Sequence, residues 1–230
     1  MKIKAFITNR NLLTWPKKMV GQLLEIPNIE PIILDNDSSY EPLLEWYDTA
    51  PCKVIKLRRN FLHTALWNSG LFHQLVKEDY YIVSDPDLDL EGIPKDVVEK
   101  LIEGVEKFNQ TKCGLALKID DIPLEFPLRD QVLEWESPFW TSPLGDGFYN
   151  APVDTTFSLH KTSKCRIHKV GGIRLGDKYT CRHMPWYLTK DNITEEYGYY
   201  LKHRAALAPD NPSVRKFFND WAQKSLEEQK

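Results

Sequence analysis

"YYIVSDPDLDL", residues 80–90, decides how the chain is read. A largely apolar run turns directly into three carboxylates, Asp85, Asp87 and Asp89, spaced by two. Acids gathered at the end of a strand repel one another unless something positive stands against them. The residues on either side show where that strand sits and what the positive partner is expected to be.

The run is the fourth strand in a regular alternation. "IKAFIT" (3–8) reads as a buried strand, and "WPKKMVGQLLEI" follows as a helix with Pro16 in its first turn. "EPIILDN" (30–36) and "KVIKL" (53–57) are strands on either side of a short helix in "YEPLLEWYDT". "HTALWNSGLFHQLV" (63–76) has helical spacing, with Ala65, Leu66, Leu71, Leu75 and Val76 on one stripe. After the fourth strand, "PKDVVEKLIEGVEKF" (94–108) is an amphipathic helix that starts at Pro94, and "CGLALKI" (113–119) is a fifth strand. The strands are continuous apolar runs, so the expected class is α/β, with a mostly parallel sheet flanked by helices on both faces. After Ile122 the texture changes to mixed prolines, aromatics and acids. "DTTFSLHK" (154–161) reads as one more strand, "GGIRLGDKYTCRHMPWYL" as loop, and residues 194–206 and 212–226 as two closing helices. No flexible linker marks the change, so one domain over 1–230 is expected.

Composition narrows the function. The 230 residues carry a net charge of -3 and are 42% hydrophobic, with seven Trp. That balance gives no basis for nucleic-acid binding, and a phosphate-bearing ligand must be met by a local site. Cys52, Cys113, Cys165 and Cys181 show no C-x-x-C spacing and read as reduced thiols. There is no secretory apolar core and no run of 18 apolar residues, so a cytoplasmic chain without a transmembrane segment is expected.

In open α/β sheets ligands bind at the carboxyl ends of the strands. Those ends carry Thr8, Asn9 and Arg10; Asp35, Asn36 and Asp37; Arg58, Arg59 and Asn60; and the three acids. Arginines beside acids suit an anionic ligand together with a divalent cation that bridges its oxygens.

Here the sequence resembles the GT-A glycosyltransferases. "SDPD" after a strand resembles their D-x-D motif, and "LDNDSSYEPLLEWY" their second strand with its nucleoside-contacting acid. "NFLHTALWNSG" keeps the N-x7-N-x-G frame of family 2, departing from it at Leu62, Thr64 and Leu66, where small residues are commoner. "DTTFSL" and "RHMPWY" resemble segments of small bacterial and viral members. The resemblance spans most of residues 1–190. It implies a GT-A-like, Rossmann-like fold with a nucleotide-sugar half at 1–120 and a smaller acceptor half with the C-terminal helices at 121–230. It implies transfer of a sugar from a nucleotide-sugar, a UDP-sugar by preference, to a hydroxyl of a glycan, lipid-linked or protein acceptor. The cofactor would be Mn2+ or Mg2+, and family 2 likeness points to inversion at the anomeric carbon.

On that reading Asp87 is the first choice for a metal ligand, and Asp85 meets the metal, its water or the ribose. Asp89 is a third ligand or a solvated loop acid. Asp35 or Asp37 reads the base edge, or the two form an Asx turn. Thr8 and Arg10 border base and phosphates. Arg59 and Asn60 contact diphosphate or base, with Asn60 an N-cap otherwise. Asn68 is unfavourable inside a helix and is placed on the ribose or the sheet edge. His183, in an aromatic-rich loop, completes the metal shell, where imidazole suits Mn2+ better than Mg2+. Arg182 beside it reaches the diphosphate. His63, His73, His160, His168 and His203 form no constellation and are read as structural or exposed. Asp154 is either a turn residue or the general base that takes the acceptor proton, with Glu134 and Glu136 as rivals. Trp135, Trp140, Trp186 and Tyr187 pack in the core or form a floor for an acceptor sugar.

Two other classes stay open. A nucleotidyltransferase acting on sugar phosphates shares such a sheet but usually has a Gly-rich basic loop after its first strand, and "TNRNLLTWP" has no glycine. A non-catalytic sugar-nucleotide or glycan-binding module is separated from an enzyme by turnover.

Overall fold

The computed structural model describes residues 2–164, 171–204 and 212–229; Cys165, His168 and residues 205–206 of the helix expected over 194–206 lie outside them. The strands are β1 (Ile3–Asn9), β2 (Ile29–Asp35), β3 (Lys53–Lys56), β4 (Tyr80–Ser84), β5 (Leu88–Asp89), β6 (Lys112–Leu115), β7 (Pro143–Gly145), β8 (Phe148–Tyr149), β9 (Ser158–Lys161), β10 (Ile173–Leu175) and β11 (Arg182–His183). The α-helices are α1 (Thr14–Leu24), α2 (Glu41–Tyr47), α3 (Ala65–Asn68), α4 (Phe72–Leu75), α5 (Val97–Lys107), α6 (Arg129–Glu136), α7 (Glu195–His203) and α8 (Pro212–Glu228).

Nine of the described strands form one sheet in the order β3-β2-β1-β4-β9-β6-β10-β8-β7, and β5 and β11 form a separate two-stranded ladder. β3, β2, β1 and β4 run parallel, as do β6 and β10. β9 is inserted antiparallel between β4 and β6, and β8 pairs antiparallel with both β7 and β10. The class is therefore α/β with a mostly parallel sheet.

Alternation along each strand explains why their sequences are apolar throughout. Ala5 and Ile7 of β1, Ile29 and Ile33 of β2 and Ile82 of β4 face one layer, with Met19, Val20 and Leu23 of α1 and Val97, Val98 and Leu101 of α5. Phe6, Ile32, Leu34, Tyr81 and Val83 face the other, with Ala65, Leu66 and Trp67 of α3. Both faces of the sheet are covered, so neither set of side chains can be polar. A third cluster joins Leu12 to Tyr197 and Leu201 of α7 and Phe218 and Ala222 of α8.

The structure corrects three readings. The helix expected over 63–76 is broken: a 3-10 turn at Leu62–Thr64 precedes α3, and Gly70, at φ 77, separates α3 from α4. Its apolar stripe survives because both pieces pack on the same sheet face. The segment after Gly171, read as loop, contributes β10 to the sheet and β11 to the ladder. The strand expected at 154–161 begins only at Ser158, and residues 154–157 form a turn before it.

Gly114, in β6, explains how that turn is seated. A Cβ built there would lie 2.5 Å from Val153 Cγ2 and 3.0 Å from the Thr156 carbonyl oxygen. Glycine inside a strand marks such a close approach. Gly114→Ala is expected to lower stability by about 1–3 kcal/mol, the range for overpacking a tight site. Urea denaturation checks this, and an unchanged midpoint would contradict the packing.

Candidate functional site

The carboxyl ends of β1, β2 and β4 open into a cleft of about 320 Å³. Thr8, Asn9 and Arg10 line it from β1, Asn36 from β2, and Asp85, Pro86 and Asp87 from β4. The loop after β3 adds Asn60, Leu62 and His63, β11 adds His183, and the end of α7 adds Tyr200 and Arg204.

The acidic stretch finds three different partners. Asp89 is 7% exposed and turns to α1, accepting from Gln22 Nε2 at 2.6 Å and Lys18 Nζ at 3.0 Å. Burial opposes its charge, but Gln22 and Lys18 outweigh it and hold the carboxyl below its usual range. Asp89 is thus neither a solvated loop acid nor part of the cleft; it ties β5 to α1. Asp87, 8% exposed, meets His183, with Nε2 3.5 Å from Oδ2. Asp85 Oδ1 accepts from the Thr155 hydroxyl at 2.9 Å.

The β5–β11 ladder brings Asp87 and His183 together. Leu88 pairs with His183 and Asp89 with Arg182, and the Met184 N–H donates to the Asp87 carbonyl at 2.8 Å. Successive residues of a strand point to opposite sides. His183 therefore faces the cleft, edge-on to Trp186 at 4.8 Å between ring centroids, while Arg182 turns away. Arg182 donates from Nε and Nη2 to Asp121 at 2.9 and 2.6 Å, and Tyr187 donates to the other Asp121 oxygen.

The antiparallel insertion of β9 supplies the fourth group. Val83 of β4 pairs with Ser158, so the turn ahead of β9 lies at the carboxyl end of β4. In that turn Asp154 Oδ1 accepts from the N–H of Thr155 and Thr156 and from the Thr156 hydroxyl, at 2.7, 3.3 and 3.1 Å. Burial opposes the charge on Asp154, but these bonds and Lys112 hold its carboxyl below the usual range. Burial, then the neighbouring charges of Asp154 and Asp87, push Asp85 up to about 7. Burial alone would lower His183, but Asp87, Asp85 and Glu136 overcome it and raise its pKa.

The cleft holds an unusual set of buried polar atoms with no hydrogen-bond partner: Thr8 Oγ1, Arg10 Nε, Asp87 Oδ1, His183 Nδ1 and Arg204 Nε. Such atoms are rare in folded proteins and call for an explanation. Two arginine donors suit an anion, and the carboxylate and imidazole suit a cation. Among the described residues no group of three His, Cys, Asp or Glu side chains is assembled to hold a metal ion. The acid–imidazole pair with Asp85 beside it instead suits a cation whose shell is completed by water and phosphate oxygens, as is usual for Mg2+-like ions at nucleotide sites.

Other expected residues lie elsewhere. Asp35 is buried and accepts from the Tyr47 hydroxyl at 3.0 Å and from Ser38 N at 3.3 Å, and Tyr47 in turn accepts from Asn9. Asp37 is exposed at φ 65. Arg59 is exposed, over the Phe61 ring, and Asn68 is exposed and donates to Thr64. Glu134 is exposed, whereas Glu136, two residues on and so across the helix, is buried against Arg174 at 2.7 Å. Asn36, named above at a strand end without a role, has an amide nitrogen that donates to Leu62 O at 2.8 Å and an amide oxygen that accepts from Phe61 N at 3.1 Å, clamping the cleft loop. His63, read above as structural or exposed, lines the cleft, as do Tyr200 and Arg204, which no motif marks. Among the described residues no helix is long and apolar enough to cross a membrane.

No protein-family model matches the sequence, and no curated protein matches it. Among solved structures, the chain is similar to S. aureus TarS at 14% identity and a TM-score of 0.39, over 55% of this chain and 24% of that one. S. aureus TarS 1–349 aligns over 98% of this chain and 71% of that one, at 11% identity and a TM-score of 0.47. The apo-form glycosyltransferase GlyE of Streptococcus pneumoniae TIGR4 aligns over 71% and 34%, at 14% identity and a TM-score of 0.36. The chain thus spans about a quarter of the first TarS chain and a third of the GlyE chain.

The crowding of acids has a consequence for the metal-free protein. A carboxyl whose folded pKa is raised takes up a proton on folding, so its contribution to stability falls as pH rises from about 4 to about 7. Asp85→Asn keeps an acceptor for Thr155 and removes the charge. In EDTA its melting temperature is expected to exceed the parent's by a few degrees at pH 8, with the gap closing near pH 4. An equal melting temperature at pH 8 would show that Asp85 is not under this strain.

Proposed function

We propose that the cleft binds a nucleotide-sugar through its diphosphate and a divalent cation, and that the protein transfers the sugar to an acceptor hydroxyl. The observation that carries this reading is the set of partnerless atoms on residues that line one cleft: arginine Nε groups together with Asp87 Oδ1 and His183 Nδ1. A nucleoside diphosphate with its metal presents both charges that this set lacks. A UDP-sugar and Mn2+ are the specific choices, on the likeness of "SDPD" and "RHMPWY" to GT-A segments and on the presence of imidazole.

Asp87 and His183 would hold the cation, with Asp85 adjoining. When bound, Mn2+ neutralises charge on the diphosphate as a Lewis acid. Arg10 and Arg204 add donors where that charge grows during bond cleavage. The Asp87–His183 contact keeps the imidazole oriented toward the cleft. Thr155 holds one oxygen of Asp85 and leaves the other for the ligand.

The reaction forms a bond from the acceptor oxygen to the anomeric carbon and breaks the bond from that carbon to the diphosphate oxygen, which leaves with the electron pair. The acceptor proton goes to a carboxylate, and Asp154 is the first choice. It adjoins Asp85, is held ionised, and has one oxygen engaged by its own turn. Displacement from the opposite face by an oxygen so activated inverts the anomeric configuration.

Calorimetry with UDP and Mn2+ is expected to show binding that collapses in EDTA. Loss of outer-shell partners alone weakens metal sites 10–100-fold, so Asp87→Ala should cost at least about tenfold. A variant that binds UDP–Mn2+ like the parent would refute the metal assignment. If a panel of nucleotide-sugars yields a turned-over donor, Asp154→Asn should reduce turnover by about 10²–10⁴ with UDP affinity unchanged. Full activity of that variant would move the base to another carboxylate, and a product that retains the donor's configuration would overturn the inverting mechanism.

A further inference from the structure

A second recess, of about 300 Å³, lies between the segment after β6 and the segment between β10 and β11. Lys118, Ile119, Asp120, Trp140, Asp177 and Thr180 line it. We infer that this recess is a carbohydrate subsite that seats one sugar ring on Trp140, an affinity that does not rest on the transfer reading above.

The floor is built for an aromatic ring. Trp140 stands edge-on to Tyr149 at 5.1 Å, and Gly176 lets both rings close on the backbone. A Cβ at Gly176 would fall 2.9 Å from the Trp140 ring and 2.8 Å from Tyr149. The indole Nε1 is nevertheless buried with no hydrogen-bond partner. A Trp packed this closely normally spends its one donor on the protein. An acceptor oxygen from a ligand would satisfy it.

The rim is polar but not anion-seeking. Asp120 and Asp177 are exposed at its edge, with the Thr180 hydroxyl between strands. Lys118, the cation there, already lies 3.4 Å from Asp120 and 3.5 Å from Asp121. Asp177 sits at φ 53, in the left-handed region, and its Oδ1 accepts from the Tyr149 hydroxyl at 3.3 Å. Backbone strain of this kind is retained where the surroundings fix a side chain in place. An aromatic face, two carboxylate acceptors and a hydroxyl match a sugar, whose C–H face is apolar and whose edge is a ring of hydroxyl donors. The donor cleft has the opposite chemistry, with arginine donors lacking partners.

The recess and the cleft lie along one stretch of chain. Thr180 at the recess and His183 at the cleft are three residues apart on extended chain, or about 10 Å. Cys181 between them is fixed by bonds with Ala116 and Lys118 at 3.2 and 2.8 Å. Alternation along that stretch puts Thr180 on the side of Arg182, away from His183, so the recess is a site apart from the cleft.

Saturation-transfer NMR on the full chain tests this, with the methyl β-glycosides of glucose, galactose and N-acetylglucosamine and the corresponding β-linked disaccharides as probes. Saturation of ring C–H protons is expected for at least one probe, with affinity reduced tenfold or more in Trp140→Ala and in Asp177→Asn. UDP–Mn2+ binding, measured on the same samples, should not change. Should Trp140→Ala lose its circular-dichroism spectrum, Asp177→Asn and Asp120→Asn, at exposed positions, carry the test. No saturation of any probe, or saturation undiminished in the folded variants, overturns the subsite. Sugar binding lost while UDP–Mn2+ binding stands rejects the recess alone. UDP–Mn2+ binding absent while Trp140-dependent sugar binding stands rejects the donor reading and leaves the recess as a glycan site.

Discussion

The site depends on a very short ladder. β5 and β11 are two residues each, far apart in sequence, yet their pairing sets His183 against Asp87. So small a ladder cannot offset the entropy of closing the intervening chain. Its neighbours hold it. Asp89 is fastened to Lys18 and Gln22 of α1, Arg182 to Asp121, and Cys181 to the chain after β6. His183 is wedged against Trp186. The side-chain hydrogen bonds among these anchors belong to residues beside the pair, which leaves Asp87 Oδ1 and His183 Nδ1 uncommitted.

The second constraint is the direction of β9. Running antiparallel between β4 and β6, it delivers the Asp154–Thr155 turn to the strand end that bears Asp85. Gly114 supplies the space that lets the turn seat. Three carboxylates then stand close together in partial burial, and the cost is visible in the raised pKa of Asp85. A packed core would not collect such a group. Proteins concentrate this kind of conflict at sites that a ligand completes, and the cation proposed here would supply the opposite charge.

The parts legible in the sequence were those fixed by simple periodicity. β1, β2 and β4 are buried on both faces and so read as unbroken apolar runs, and α5 is announced by Pro94 and its spacing. Their order places Thr8, Arg10, Asn60, Asp85 and Asp87 at strand ends, and all five line the cleft. β8, β10 and β11 are two or three residues long, too short for any period to show, and β11 is nevertheless the one that matters most. Asp35 has the same strand-end signature as Asp85, but Tyr47 from the next helix captures it, a choice no local pattern reveals. Arg204 enters from the end of α7 through packing of the C-terminal cluster, so nothing beside it in sequence marks it as a cleft residue.

The central claim is that Asp87 and His183 grip a cation that also touches a diphosphate. Crystals soaked with UDP and Mn2+, with diffraction collected at the manganese absorption edge, test it directly. The account predicts one strong anomalous peak within about 2.5 Å of Asp87 Oδ1 and bridged to phosphate oxygens, with the diphosphate within hydrogen-bonding reach of Arg10 or Arg204. UDP bound in the cleft with no anomalous peak, or a peak that lies away from Asp87 and His183, would contradict it.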